Sequence, residues 1–356
     1  MKSPVFLIRA SHDEGPERIE KKLKRLLTDA GFDSLIPEKG LVAVKTHFGE
    51  KKSVTHIPPH FFKPISARIK QAGGRPFLTE TSTLYKGSRS DALCHTLHAL
   101  DHGFSVENTG MPIVMADGLK GEWESEVALP KRPDKKVKVA GMITRIHALV
   151  CVSHPTGHIA LGYGGAIKNL GMGLSSRKGK LTMHSSIKPS IDSERCTGCK
   201  HCMNWCPENA ITLNGYTVVI DESKCIGCGE CLTECRFDAV RYNWEMDKTE
   251  IQKLTAEHAV GVTNGKPCFY INYAIRFTKD CDCYGTAKEA ILKDIGIFAS
   301  QDPVAIDEAC ITLLEAQAGK PLCDITYPDR DVRIQTRYGE AIGLGSRDYE
   351  LIEVAL

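Results

Sequence analysis

Eight cysteines between residues 196 and 235 have the type and spacing to hold iron. They form two runs of the same pattern, C-x-x-C-x-x-C-x-x-x-C. Within a run, the short steps bring three sulfurs round one iron–sulfur cubane, and the fourth sulfur ligates the other cluster. The spacing therefore assigns one [4Fe-4S] cluster to Cys196, Cys199, Cys202 and Cys235. It assigns a second [4Fe-4S] cluster to Cys225, Cys228, Cys231 and Cys206.

This segment resembles the bacterial two-cluster ferredoxins. Pro207 follows Cys206 as in that pattern, whereas Arg236 stands where the second proline would be expected after Cys235. The missing proline removes some turn rigidity but no ligand. A pair of zinc sites and a disulfide framework are the alternatives, and the three-residue step to each fourth cysteine favours clusters over both.

A second group of thiols lies in Cys281-Asp282-Cys283. Two thiols one residue apart beside a carboxylate can bind a metal, can form a redox dithiol or can be structural. His154 and His158 follow the predicted strand 148–152, and we expect their loop to meet the Cys-Asp-Cys loop at the carboxyl edge of the sheet. Neutral imidazole together with thiolates suits iron, zinc or nickel.

Two further residues are candidates for this second site. His47 follows the predicted strand 41–45, and Asp307 lies one turn into a predicted helix. The alternative is that His47 is an ordinary polar loop residue and that Asp307 is exposed. The expected metal site therefore consists of Cys281, Cys283, His154 and His158, with His47, Asp282 or Asp307 as additional ligands.

The glycine-rich stretch 162–173 lacks the spacing of a phosphate-binding loop. Lys168 and Asn169 within it can hold a small anionic substrate, with Arg177, Lys178 and Lys180 nearby. The alternative, slightly favoured by the pattern, is a close-packed turn followed by a solvated basic loop.

Strands and helices alternate along the rest of the chain, which predicts an α/β fold with a largely parallel sheet flanked by helices. The predicted strands are 3–10, 41–45, 75–79, 148–152, 268–275 and 294–299. The predicted helices are 14–31, 58–72, 90–102, 250–259 and 302–316. In the helix 90–102, the spacing of Leu93, Leu97 and Leu100 predicts that they face inward. A small α+β two-cluster ferredoxin-like insert, residues 188–246, divides the α/β domain into residues 1–187 and 247–356.

Composition narrows the function classes. The 356 residues carry a net charge of only +2, which gives no indication of nucleic-acid or membrane-surface binding. The N-terminus does not resemble a signal peptide, and no apolar run reaches membrane-spanning length. We therefore expect a cytoplasmic protein, in which fifteen cysteines indicate metal binding over disulfides. Oxygen-sensitive clusters are typical of an anaerobe.

Several of these motifs together resemble the domain of unknown function 362 family. They are 154–158, 164–173, 176–180, 280–283 and 294–307. The resemblance covers nearly the whole chain, in the subtype with an inserted two-cluster ferredoxin. It implies an α/β body, a ferredoxin insert and a shared Cys-Asp-Cys loop, and it implies no particular reaction.

The resulting hypothesis is an iron–sulfur oxidoreductase. Single electrons from a low-potential donor protein would pass through two clusters to the second site in the α/β domain. One alternative is a non-enzymatic electron carrier that docks a partner enzyme through its α/β body. Another is a structural or assembly factor whose clusters never turn over. The Cys-Asp-Cys loop distinguishes the first hypothesis from a pure carrier, which does not need it.

Overall fold

A seven-stranded sheet forms the centre of the protein. The computed structural model describes residues 2–85, 87–184, 188–225, 227–242, 247–285 and 289–356. The strands are β1 Ser3–Arg9, β2 Leu41–Lys45, β3 Arg75–Thr79, β4 Glu124–Leu129, β5 Arg132–Ala140, β6 Ala148–Ser153, β7 Thr156–His158, β8 Gly162–Gly164, β9 Ser190–Ile191, β10 Ile211–Asn214, β11 Thr217–Ile220, β12 Val240–Arg241, β13 Cys268–Ala274, β14 Gly296–Ser300 and β15 Tyr349–Glu353. The strand order of the central sheet is β15-β1-β14-β13-β6-β2-β3. Only β14 runs antiparallel to its neighbours, so the prediction of a largely parallel sheet is confirmed.

Helices cover both faces of this sheet. They are α1 Pro16–Asp29, α2 Phe62–Gln71, α3 Ala92–Asp101, α4 Val106–Thr109, α5 Ala166–Gly171, α6 Arg177–His184, α7 His201–Asn204, α8 Glu230–Glu234, α9 Lys248–Thr263, α10 Pro303–Ala318, α11 Leu322–Ile325 and α12 Ile334–Ile342. Short 3-10 segments occupy Phe32–Leu35, Pro59–Phe61 and Gly141–Thr144. One core packs α1 and α2 against the sheet, and the other packs α5, α9 and α10 against its opposite face.

Local sequence explains the main elements. The strand β6 is buried at every position, as expected for an apolar run in the middle of a parallel sheet. Helix α10 begins with Pro303 at its first position, and the Asp302 carboxylate accepts hydrogen bonds from the amides of Val304 and Ala305. Asp302 is therefore the N-cap of α10.

Three local predictions are wrong. Leu93, Leu97 and Leu100 are exposed on α3, and the opposite face, with His95, His98 and Ala99, is buried. The basic stretch 177–180 is not a solvated loop, because it forms the start of α6 and the side chains of Arg177 and Lys180 are buried. The loop 154–158 contains a short strand, β7, which pairs with β8.

The cysteine-rich segment, residues 188–242, has a small core of its own. In it, β9 pairs with β12 and β10 pairs with β11, and α7 and α8 carry cysteines of the two runs. The predicted domain boundaries fall beside residues 185–187 and 243–246, which lie outside the described residues, as does Trp244. Among the helices described, none has the length and apolar character needed to cross a membrane.

Candidate functional site

A cleft of about 610 Å³ opens at the carboxyl edge of the sheet. The parallel strands β2, β3 and β6 end at this edge, so the residues that follow them converge there. Its lining includes residues from each of these strand ends, from the glycine-rich stretch and from the Cys-Asp-Cys loop: His47, Glu80, His154, His158, Lys168, Asn169, Cys281, Asp282 and Cys283. The expectation that the two loops meet at one sheet edge is thus fulfilled in the structure.

His154 and Asp282 form a buried ion pair. The Nδ1 atom of His154 lies 2.7 Å from a carboxylate oxygen of Asp282, and Nε2 lies 3.0 Å from the carbonyl oxygen of Ile275. Both partners can only accept, so both ring nitrogens donate and the ring is an imidazolium. Burial opposes this charge, but Asp282 outweighs it and raises the pKa of His154. An imidazolium has no lone pair to offer a metal.

His158 lies beside the two thiols of the Cys-Asp-Cys loop. A ring nitrogen of His158 and the Sγ atoms of Cys281 and Cys283 all lie within 4.8 Å of one another, which makes this the three-residue group that can hold a metal ion. In the structure, Cys281 and Cys283 are joined by a disulfide, and the other thirteen cysteines are free. We expected His158 and both cysteines to meet at one edge of the sheet, and they do. The sequence left the chemical state of the two cysteines open.

His47 and Asp307 differ in their relation to the cleft. His47 lines it, accepts a hydrogen bond from the amide of Gly49, and lies 2.9 Å from Arg89 through its Nε2 atom. Burial first, and the charge of Arg89 second, lower its pKa well below the usual value. Asp307 points away from the cleft lining and accepts hydrogen bonds from the backbone amides that begin α5, Ala166 at 2.8 Å and Ile167 at 2.9 Å.

Asp307 thus holds the glycine-rich stretch in place. The amide of Asn272 also donates to it at 2.8 Å. Despite these hydrogen bonds, complete burial raises the pKa of Asp307 to about 6. A Cβ atom at Gly165 would lie 2.2 Å from the same carboxylate, so only glycine fits beside it. In this conformation Asp307 positions α5 and the residues that α5 presents to the cleft.

Positive charge dominates the walls of the cleft. Lys168 lies with its Nζ atom 3.9 Å from Cys283 Sγ. Lys180 is buried, which lowers its pKa to about 8, and its Nζ donates to the carbonyl oxygen of Ser82 at 2.7 Å. Arg89, Lys248 and Arg330 also line the cleft. This charge attracts anions and repels cations.

A network at the floor of the cleft was not foreseen from the sequence. Buried Lys45 is paired with Glu80 and donates to the side-chain oxygen of Asn169 at 2.7 Å. The Asn169 amide group in turn donates to Ser153 Oγ at 3.0 Å. Lys45 and Glu80 stand at the carboxyl ends of β2 and β3, so the strand-end rule could have found them. Asn169 lines the cleft and ties α5 to the sheet, and its contact with substrate stays a prediction.

The eight cysteines of the cysteine-rich segment line two separate small cavities. One cavity is lined by Cys196, Cys199, Cys202 and Cys235. The other is lined by Cys206, Cys225, Cys228 and Cys231. In each, the first three cysteines of one run meet the fourth of the other. Backbone amides approach three of the sulfurs. The amide of Ala210 lies 3.2 Å from the sulfur of Cys206, and that of Ala239 lies 3.2 Å from the sulfur of Cys235. The amide of Val218 lies 3.5 Å from the sulfur of Cys196.

The second of these cavities faces the α/β body. A Cβ atom at Gly227 would lie 3.6 Å from Leu181, and one at Gly229 would lie 3.6 Å from Leu84. Leu84 also lines the cleft, so its side chain separates the cleft from the backbone next to Cys228. Tyr242 is buried with Leu84 and Leu181, whereas Trp205 is 41% exposed. Of these two aromatic residues, Tyr242 is therefore the one that packs between the cysteine-rich segment and the α/β body.

Charged contacts hold the same face together. Lys120 Nζ is 2.8 Å from Glu234, and it lies 3.4 Å from the centre of the Trp205 ring. Buried Arg177 lies 3.5 Å from Glu230 and donates to the carbonyl oxygen of Ser90 at 2.6 Å. Arg177 thus joins the segment that carries the cysteines to the loop that carries Leu84 and Arg89.

Fold and site together define an α/β protein with a thiol-containing, positively charged cleft at the carboxyl edge of its sheet. The sequence model for the domain of unknown function DUF362 matches residues 42–312, and the chain belongs to this family. The resemblance to this family is confirmed, whereas the subtype with an inserted two-cluster ferredoxin stays a prediction.

Other comparisons add little about function. Among solved structures, the chain is similar to the lactate racemase apoprotein from Thermoanaerobacterium thermosaccharolyticum, with 14% sequence identity and a TM-score of 0.40. The match covers 84% of this chain and 54% of that one, so the chain spans about half of that protein's length. A search of curated proteins finds no match.

Proposed function

We propose that the chain is an iron–sulfur oxidoreductase that binds two [4Fe-4S] clusters in its cysteine-rich segment and delivers electrons to the cleft. The observation that carries the proposal is the crossed grouping of the cysteines. Each of the two cavities is lined by three cysteines of one run and the last of the other. Two-cluster ferredoxins distribute their ligands between clusters in the same way.

The spread of the sulfurs favours clusters over zinc. Zinc bound by four thiolates at about 2.3 Å keeps them only about 3.8 Å apart. Among the described residues, which include all fifteen cysteines, the only group of three or more donor atoms within 4.8 Å of one another is that of His158, Cys281 and Cys283. In neither cavity do the four sulfurs lie as close to one another as a single zinc ion would require.

The surroundings of the sulfurs suit clusters as well. When bound, the clusters would supply single electrons at low potential. The backbone amides near Cys196, Cys206 and Cys235 provide hydrogen bonds that stabilise charge on ligand sulfurs. Gly229 has a φ of 82°, and it allows the chain to turn between Cys228 and Cys231.

The position of the two cavities gives the relay a direction. Cys199, in the first cavity, is exposed, which suits entry of electrons from a low-potential donor protein. The second cavity adjoins Leu84 and the cleft. The cationic lining of the cleft selects a small anionic substrate.

Analysis of anaerobically purified protein tests this function. We expect about eight irons and eight acid-labile sulfides per chain, and an electron paramagnetic resonance spectrum of reduced cubanes. Cys199→Ser should disturb one cluster and Cys228→Ser the other, whereas Cys94→Ser, which replaces an exposed free cysteine on α3, should leave both unchanged. About two zinc ions per chain without sulfide would contradict the proposal.

A further inference from the structure

We propose that Cys281 and Cys283 form a two-electron dithiol–disulfide centre and not a metal site. The inference rests on the proposed function for its reductant, a low-potential one-electron donor that acts through the cysteine-rich segment. The first observation is the chemical state of the thiols. Of fifteen cysteines, these two are joined by a disulfide, and they line the charged cleft.

The hydrogen bonds of His158 are the reverse of those at a metal site. Its Nδ1 atom accepts hydrogen bonds from the amides of Ala160 and Leu161, both at 3.1 Å. A neutral ring must then carry its proton on Nε2. A metal-bound histidine normally coordinates through one nitrogen and donates a proton from the other. His158 would have to give up the Nε2 proton to bind metal, because Nδ1 is already an acceptor.

His154 leads to the same conclusion. Both of its nitrogens face acceptors, the carboxylate of Asp282 and the carbonyl of Ile275, so it has no lone pair available. Asp282 is occupied as well, because Thr55 donates to it at 2.6 Å in addition to His154. Asp282 balances the charge of His154, so the protons near the thiols come from His158 and Lys168, and the positive charge from Lys168. These stabilise a thiolate formed when the disulfide opens.

The two sulfurs have different surroundings. Cys281 is 6% exposed, whereas Cys283 is more accessible and has Lys168 Nζ at 3.9 Å from its sulfur. A lysine beside a thiol favours the thiolate. Cys283 is therefore the thiol that faces the cleft and forms the thiolate, and Cys281 is its buried partner in the disulfide.

The side chain of Leu84 lies between the second four-cysteine cavity and the cleft that contains this pair. Leu84 touches the position of Gly229 on one side and lines the cleft on the other. Two electrons, delivered one at a time, and two protons break the sulfur–sulfur bond and leave two thiols. Lys168 and His158 are the nearest groups that can exchange protons with them. The reverse reaction re-forms the sulfur–sulfur bond, releases two protons and returns two electrons to the cysteine-rich segment one at a time.

An electron count tests the inference. Anaerobic titration of the oxidised holoprotein with a low-potential reductant should consume about four electrons per chain, one for each cluster and two for the disulfide. The double variant Cys281→Ser/Cys283→Ser should consume about two, and the control Cys94→Ser about four. Iron content and the resonance spectrum of each sample show whether both clusters are present.

The outcomes separate the two proposals. If the wild type and the double variant, both with full clusters, consume the same two electrons, the dithiol centre is excluded and the relay stands. If the holoprotein contains no iron, the relay fails and the inference fails with it.

A second measurement needs no variant. Alkylation of wild-type protein, followed by peptide mass analysis, should leave the peptide with residues 281–283 unmodified before reduction and doubly alkylated after it. Thiols that resist alkylation until a chelator removes zinc or nickel would overturn the inference in favour of a metal site.

Discussion

The carboxylate of Asp282 connects three segments of the chain at the candidate site. It belongs to the Cys-Asp-Cys loop, pairs with His154 after β6, and accepts a hydrogen bond from Thr55 in the segment after β2. Burial raises its pKa, but the charge of His154 and the hydrogen bonds outweigh burial and hold it well below the usual value. The position of the two thiols in the cleft therefore depends on an ion pair that is almost fully shielded from water.

Asp282→Asn should destabilise the fold in a pH-dependent way. Breaking a buried ion pair costs about 3 kcal/mol. The contribution of Asp282 is present above its unfolded pKa of 3.8 and is lost as pH falls through the lower folded value. The contribution of His154 is complete below its unfolded pKa of 6.5 and is lost as pH rises through the raised folded value. The loss of unfolding free energy should be greatest between pH 3.8 and 6.5.

Urea denaturation of wild type and variant across this range checks the prediction. Asp329→Asn, which neutralises an exposed carboxylate, is the control and should change stability by less than about 0.5 kcal/mol at every pH. A deficit in Asp282→Asn that stays constant from acid to alkaline pH would show that the pair is not ionised.

Single residues were predictable where spacing alone determines the chemistry. The crossed grouping of the eight cysteines needed no tertiary information, because their partners lie within the two runs, and the clusters that they would bind stay a prediction. His154 was predicted as a ligand but donates from both nitrogens, since its partners Asp282 and Ile275 come from a segment more than a hundred residues away. The sequence brings such residues to one sheet edge, and it does not specify which of them hydrogen bond to each other.

At the scale of elements, helix α3 is rotated relative to its leucine pattern. His98 Nε2 lies 3.1 Å from the carbonyl of Gly49, and His102 Nδ1 lies 2.7 Å from that of Phe48. These carbonyls belong to the irregular segment after β2 and need hydrogen-bond donors, because no neighbouring strand supplies them. His98 and His102 therefore face the interior of the protein. The leucines Leu93, Leu97 and Leu100 are left on the solvent side. The hydrogen bonds of the histidines to this irregular segment therefore determine which face of α3 is buried, and the leucine periodicity does not.

Substitutions on the two faces of α3 should differ in cost. Leu97 is 56% exposed, so Leu97→Gln should change the unfolding free energy by less than about 0.5 kcal/mol. Ala99 is fully buried, so Ala99→Gln should cost about 1–3 kcal/mol through overpacking. Denaturant unfolding measures the free energy of unfolding of both variants. A greater loss in Leu97→Gln than in Ala99→Gln would indicate that the leucine face of α3 is the buried one.

The turn before His158 depends on a close backbone approach. A Cβ atom at Gly157 would lie 2.1 Å from the carbonyl oxygen of Lys279, in the segment that leads to Cys281. Gly157→Ala should therefore separate β7 from this segment and cost about 1–3 kcal/mol. Gly15→Ala, where a Cβ meets nothing within 4 Å, is the control. Stability should fall and alkylation of reduced Cys281 should quicken in Gly157→Ala alone.

At the scale of the whole molecule, strand order was recoverable only in part. The apolar runs located six strands of the central sheet, while β15 was missed because its residues are only partly buried at a sheet edge. The antiparallel direction of β14 is not encoded in its composition. How the cysteine-rich segment meets the α/β body was also beyond the sequence, since it depends on contacts such as Arg177 with Glu230.

Arg177 should raise the reduction potential of the nearer cluster. A fixed positive charge beside the second cavity stabilises the reduced state, so Arg177→Met should lower that potential by an amount on the order of tens of millivolts. A potentiometric titration followed by electron paramagnetic resonance measures both potentials. Arg18→Met, on the exposed face of α1, should change neither. Equal shifts of both potentials in Arg177→Met would argue against the assigned positions of the clusters.

The central claim is that two iron–sulfur clusters occupy the two four-cysteine cavities and that the cleft holds a dithiol pair. Anomalous diffraction at the iron edge, from crystals of anaerobically purified protein, tests it most directly. The account predicts two iron peaks, one among Cys196, Cys199, Cys202 and Cys235 and one among Cys206, Cys225, Cys228 and Cys231, with no metal peak beside Cys281 and Cys283. Zinc in either cavity, or a metal bound between His158 and the two thiols, would contradict it.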